Sequence, residues 1–229
     1  MTQDQLLGLD ESHLILVGRG PHRLTAATAA AFNDMQVAAA YEGFNLQAAS
    51  SWRSFERQLA IWNGKWRGER PLLDADNRPL DALQLGETER LHAILRWSAL
   101  PGTSRHHWGT DLDIYDPDSL PVGTRLALEP WEYEAGGWFA DLGEWLGDHM
   151  ADFGFFLPYA KPLDAAQGVA YEPWHISFAL ESAEQRLDPD ALALCLQQAD
   201  IEGKACILSH LDEILARYVT AGHTERRIR

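Results

Sequence analysis

The chain is poor in positive charge. Its 19 Lys and Arg face 34 Asp and Glu, a formal net charge of −15. Nucleic-acid affinity rests largely on Lys and Arg neutralising phosphates, so neither DNA nor RNA is an expected partner. Apolar runs are short, and none approaches the roughly 20 residues of a membrane span. The amino-terminal stretch MTQDQLLGLDESHLILVG has no Lys or Arg before Arg19, and its apolar run extends only from Leu14 to Val17. Neither half of a signal peptide is therefore present, and the expected location is the cytoplasm unless export follows another route. Cysteine is scarce: Cys195 and Cys206 lie in helix-like sequence and read as buried thiols rather than a bridge. No serine has a lysine three residues on, and His-Glu-x-x-His, Gly-x-Ser-x-Gly and the phosphate loop are absent, which sets aside acyl-serine and nucleotide chemistry.

What is there suits a folded protein. The 229 residues are 46% hydrophobic and 23% charged, without repeats, low-complexity tracts or a linker long enough to divide the chain. The spacing of apolar residues predicts helices over 25–42, 55–66, 87–98 and 137–150, with Ser54 as an N-cap. Alternation predicts strands over 44–49 and 109–115, and a strand over 169–178 interrupted near Pro173. A basic, proline-containing loop with Arg67, Arg70 and Pro71 is expected near the surface, and after about Leu187 the chain reads as helical to its end. Without a βαβ rhythm, the expected class is α+β: a small antiparallel sheet flanked by helices, with a catalytic domain over 1–187 and a helical extension over 188–229 packed on it.

One segment carries chemistry. Ser104-Arg105-His106-His107-Trp108-Gly109-Thr110-Asp111-Leu112-Asp113 is followed much later by Glu172-Pro173-Trp174-His175. A catalytic zinc takes three N or O ligands and keeps a position open, a need that His106, Asp113 and His175 meet; His107 is the rival to His106. Gly109 lets the backbone turn between the first ligand and the strand carrying the second. Glu172, three residues before His175, is placed to act as general base on water in the open position. Asp111 shares a strand face with Asp113 and is a candidate to bond a ligand histidine, the alternative being a solvated acid. Trp52, Trp108 and Trp174 are candidates to line a cleft, although most of the tryptophans are expected in the core.

These motifs resemble the zinc D-alanyl-D-alanine carboxypeptidases and L,D-carboxypeptidases of the M15 peptidase type, over roughly Leu24 to Phe178. The resemblance implies zinc on His106, Asp113 and His175, with Glu172 as the base. It also implies that Arg53, in Ser51-Trp52-Arg53-Ser54, holds the substrate's terminal carboxylate, for which a guanidinium fork is suited. Ser104 and Gln58 are further substrate-binding candidates. Trp52 stands where the family usually has Tyr, and Asp111 where it often has Ala. The implied substrate is a short peptide or muropeptide with a free C-terminal D-amino acid. The alternatives are a non-catalytic zinc module that binds peptides and a phage-type wall endopeptidase, and the number of subunits stays open.

Overall fold

The computed structural model describes residues 1–18, 20–161 and 168–220. The chain opens with a short helix, α1 (Gln3–Leu6), and a small hairpin of β1 (Ile15–Leu16) and β2 (Arg23–Leu24). Helix α2 (Ala26–Tyr41) follows, capped by the Thr25 side chain. Strand β3 (Gln47–Ser50) then leads into α3 (Phe55–Trp66), whose N-cap is Ser54, accepting from the Arg57 N–H. A second small hairpin, β4 (Leu72–Leu73) with β5 (Pro79–Leu80), precedes α4 (Glu87–Leu95). The remaining core elements are β6 (Asp111–Tyr115), α5 (Ala140–His149), β7 (Phe155–Phe156) and β8 (His175–Phe178).

The central sheet runs β3-β6-β8-β7 with every neighbouring pair antiparallel, so the α+β class with a small antiparallel sheet holds. Side chains alternate across it. Leu112, Ile114, Ile176 and Phe178 point into a core with Phe32 and Met35 of α2 and Leu142 and Trp145 of α5. The opposite face carries Asp111, Asp113, His175 and Ser177, and the register sets Asp113 across from His175 and Asp111 across from Ser177. Directly opposed residues project on the same side, about 4.5–5.5 Å apart at Cβ. Two segments far apart in the chain thus deliver their polar residues to one patch.

A second core gathers Trp62 and Trp66 of α3, Leu91, Ile94 and Leu95 of α4, and the carboxy-terminal helices. The helices that join it are, after a short α6 (Ala179–Ser182) beside β8, α7 (Pro189–Gln198), α8 (Lys204–Ser209) and α9 (Leu211–Ile214), which continues into a wider turn over Leu215–Thr220. Leu192, Leu196, Ile207, Ile214 and Tyr218 pack directly into this core. The rest of the helical reading, 221–229, lies outside the described residues.

Several expected boundaries shift. The strand expected over 44–49 begins only at Gln47, because the Phe44 N–H still bonds the end of α2 at the Ala39 carbonyl and the Asn45 N–H bonds the Asp116 carboxylate. The strand expected over 169–178 shortens to β8: Pro173 lacks an N–H, and a turn from the Glu172 carbonyl to the His175 N–H ends just where the strand starts. Helix α4 stops at Leu95, with the Trp97 and Ser98 N–H groups closing on the Ile94 carbonyl. Helix α5 starts at Ala140, since Gly137 lies hard against the Trp131 and Glu132 carbonyls.

Candidate active site

The first motif forms a short 3-10 helix, Arg105–Trp108, ended by Gly109 at φ 72°. That left-handed conformation, with a Leu14 methyl where a Cβ would project, is open only to glycine at low cost. The turn feeds β6 while holding His106 beside it. The His106 Nε2 lies 3.3 Å from Asp113 Oδ2, and the His175 Nδ1 lies 3.4 Å from Asp113 Oδ1. One ligand atom from each of the three residues falls within 4.8 Å of the others, and all three are buried. A tetrahedral zinc with bonds of about 2.0–2.1 Å needs ligand atoms about 3.3 Å apart, so the spacing fits. The buried His106 Nδ1 has no hydrogen-bond partner.

His175 is fixed from behind. Its Nε2 donates to Asp111 Oδ1 at 3.0 Å, which leaves Nδ1 turned towards Asp113. Asp111 is no solvated acid: it also accepts from Arg105 Nε at 2.8 Å, Thr110 Oγ1 at 2.6 Å and Ser177 Oγ at 3.1 Å. Arg105 in turn donates to Ser177 Oγ and lies over the Trp108 ring. Burial opposes the charge on Asp111 and on Asp113. It is outweighed by Arg105 and His175 at the first and by His106 and His175 at the second, so both carboxyls sit below the usual range. Burial favours neutral His175, but Asp111, Asp113 and Glu172 together raise it well above its ordinary value. Burial lowers His106.

His107 is turned away from this group. Its Nδ1 donates to the Arg53 carbonyl at 2.6 Å and its Nε2 accepts from the Gly102 N–H at 3.1 Å, so both nitrogens are used. Burial pushes its pKa down to about 3, keeping the ring neutral as that pairing requires. His107 therefore stands outside the group that His106 forms with Asp113 and His175.

His106, Asp113 and His175 open on a cavity of about 830 Å³ that Arg53, Ser104, Glu172, Tyr159 and Trp174 also line. Glu172 Oε2 lies 3.4 Å from His175 Nδ1, and its backbone N–H is held by the Tyr159 carbonyl. Arg53 donates through Nη1 to Gln58 Oε1 at 2.8 Å and through Nη2 to Ser50 Oγ at 3.3 Å, with no carboxylate ion-paired to it among the described residues. Gln58 departs from the expectation: fully buried, it spans Arg53 and the Ala99 carbonyl and does not reach the cavity wall. Of the three tryptophans, only Trp174 lines the cavity; Trp52 Nε1 donates to the His107 carbonyl and Trp108 is buried under Arg105. Cys195 and Cys206 are free thiols. The sequence reading passed over Arg105 and Ser177, the partners of Asp111, and Tyr159 against His175. Arg105 had a visible signal, a cation inside the motif three residues before Trp108.

Comparison with known proteins gives this geometry a lineage. The D-alanyl-D-alanine carboxypeptidase family VanY matches residues 21–181. An uncharacterized protein of Haemophilus influenzae is 43% identical over 122 residues, covering 52% of this chain and 92% of its own. The solved structure of the LD-carboxypeptidase LdcB is 25% identical with a TM-score of 0.53, covering 86% of this chain and 77% of its own. VanYB, solved with D-alanine-D-alanine, shares the fold at a TM-score of 0.54 and 20% identity over 90% of both chains. The match spans the buried triad, the glutamate before its second histidine and the arginine turn alike, and on that ground the chain belongs to the VanY family of D-alanyl-D-alanine carboxypeptidases.

Proposed function

We propose that the chain is a zinc-dependent carboxypeptidase that releases a C-terminal D-amino acid from a peptidoglycan stem peptide. The observation that carries this reading is the buried group of His106, Asp113 and His175 opening on a cavity beside Glu172. Zinc on those three residues would supply Lewis acidity, polarising the scissile carbonyl and acidifying a water. Glu172, at the cavity wall beside His175, would take the water's proton and deliver it to the leaving amine. Asp111 would hold the His175 tautomer whose Nδ1 faces the metal. Arg53, unpaired with any carboxylate among the described residues and steadied by Gln58 and Ser50, would grip the substrate's terminal carboxylate and set the scissile bond beside Glu172.

The test is incubation of the zinc-loaded protein with defined tetra- and pentapeptide muropeptides and weighing of the products. Loss of a single terminal D-alanine is expected, from the pentapeptide for D,D and from the tetrapeptide for L,D activity. Release of a dipeptide, or lysis of whole sacculi without free D-alanine, would replace the carboxypeptidase reading with dipeptidase or endopeptidase action; no product, with zinc bound, would refute hydrolysis.

A further inference from the structure

Six of the described Lys and Arg side chains pair with carboxylates, Arg23, Lys161 and Arg217 among them. Arg67 pairs with Glu69 at 2.8 Å and Glu202 at 3.3 Å, Arg78 with Asp76 at 3.0 Å, and Arg105 with Asp111 at 2.8 Å. Among the described residues the cavity wall gathers cations without such a partner: beside Arg53 these are Lys65, Arg70 and the exposed Arg125. Lys65, in the last turn of α3, and Arg70, in the loop after it, both line the cavity, and among the described residues neither has a side-chain hydrogen bond or ion pair. Acids outnumber bases 34 to 19, so cations gathered in one cleft without carboxylate partners suit an anion that arrives from solution, and Lys65 and Arg70 are the two of them held side by side at the end of α3.

The wall is shaped to present them. Ile61 and Lys65 lie one helical turn apart and share the face of α3 that fronts the cavity. One position before Lys65 stands Gly64, buried inside the helix, where glycine costs about 1 kcal/mol against alanine. A Cβ there would meet the Arg70 Cδ, Cγ and Nε at 3.1–3.2 Å, so the missing side chain is the berth in which the Arg70 stem lies. Asn77, from the hairpin tip, lines the same cavity with a buried Oδ1 that has no partner. Burial lowers Lys65 to about 8 against the pull of Glu172, with Arg70 and Arg53 adding repulsion. These charges therefore face one shared space.

We propose that Lys65 and Arg70 form a second anion subsite, which takes a side-chain carboxylate on the acyl side of the scissile bond. The preferred substrate is then a peptide with two free carboxylates, one terminal and one on a side chain. This inference rests on the peptidase reading above. If Arg53 holds the terminal carboxylate, the residue to be released lies between Arg53 and the ligand group, and a second carboxylate belongs to the part that stays behind. Arg53 lies two residues before α3 and Lys65 in its last turn, so they are separated by the roughly 15 Å that the helix rises from Phe55 to Lys65 at 1.5 Å per residue. After the inward reach of two long side chains, an extended peptide crosses the gap in about two to four residues.

The test uses the zinc-loaded full chain and two muropeptide tetrapeptides, identical except that the side-chain carboxylate of the third residue is free in one and amidated in the other. The wild type should favour the free acid by at least about tenfold in kcat/KM, the low end for a charge-assisted hydrogen bond. The preference should fall towards one in the Lys65→Gln, Arg70→Gln double variant and persist in an Arg57→Gln control. Each single variant should lose part of it, which decides the matter if the double variant does not fold. Equal rates on both peptides in the wild type, or a preference that survives both substitutions, would overturn the subsite. If neither peptide is cleaved, the peptidase reading fails by itself. Displacement binding of the same pair then judges the subsite: a tenfold tighter free acid, lost in the variants, supports it, and equal affinities reject it.

Discussion

Replacing Asp111 separates two services that one carboxylate performs. It neutralises the buried Arg105 guanidinium, and it accepts from His175 Nε2. The Arg105 and Asp111 side chains are 4% and 0% exposed, so Asp111→Ala strands a buried cation. Removing one partner of such a pair costs about 3–5 kcal/mol, which for a chain of this length lowers Tm by roughly 6–20 °C. Removing both partners is often close to neutral when apolar groups fill the space, and Trp108 and Phe156 already flank Arg105. An Asp111→Ala, Arg105→Met double variant should therefore regain most of that stability. Zinc affinity should behave otherwise, because His175 lacks its acceptor in the single and the double variant alike. Loss of such an outer partner typically lowers metal affinity about 10–100-fold. Thermal unfolding of the metal-free proteins reads the first service, and competition with a chelator reads the second. A double variant that regains both stability and zinc affinity would show that Asp111 serves Arg105 alone. A single variant that loses less than about 1 kcal/mol would refute the buried-pair reasoning.

Three further outcomes are expected. Glu172→Gln keeps size and hydrogen bonding but cannot take a proton, so kcat should fall by about 10²–10⁴-fold with zinc content unchanged; weakened zinc binding would mark Glu172 as a ligand instead. Arg53→Ala should cost about 1.5–3 kcal/mol in kcat/KM, and amidating the substrate's terminus should hurt the wild type by a similar amount while barely affecting the variant; equal sensitivity would remove Arg53 from substrate binding. Zinc binding near pH 7 should release about one proton. Asp111, Asp113 and Glu172 raise His175 well above 6.5, so the metal-free ring is charged, stabilises the fold at low pH and loses that contribution as pH rises through its folded pKa. Zinc affinity should rise with pH accordingly, and an unbuffered titration that shows no acid release would contradict the electrostatics of the site.

Local chemistry made much of the fold legible. Helix α3 matches its expected span from Phe55 to Trp66 because a side-chain cap and an apolar stripe mark it within the segment itself. The alternation of β6 was equally plain, since Leu112 and Ile114 enter the core while Asp111 and Asp113 take the other face. Errors gathered where a contact from outside the segment decides the outcome. The Asp116 carboxylate captures the Asn45 N–H and delays β3, and the carbonyls of Trp131 and Glu132 crowd Gly137 and push back the start of α5. Neither contact leaves a trace in the spacing of nearby residues.

The site divides along the same line. His106 and Asp113 were legible because a glycine and a strand period join them within eight residues of chain. His175 was legible as the second histidine that a three-ligand zinc needs, but its place opposite Asp113 is a matter of register that spacing does not give. Gln58 shows the reverse hazard. It is a substrate-binding candidate only through the segment that carries the resemblance, and its amide bonds Arg53 and the Ala99 carbonyl. Lys65 and Arg70 were legible as charges but not as a wall, because the spacing of α3 places Lys65 on a face without saying what that face meets. Gly64 was the available signal. A glycine inside a helix sacrifices stability, so something outside the helix must occupy the space that a side chain would fill, and here that is the stem of Arg70. The same reasoning runs from Gly137 to the Trp131 carbonyl six residues earlier, and from Gly109 to Leu14, where a missing Cβ marks the close approach of a segment distant in sequence.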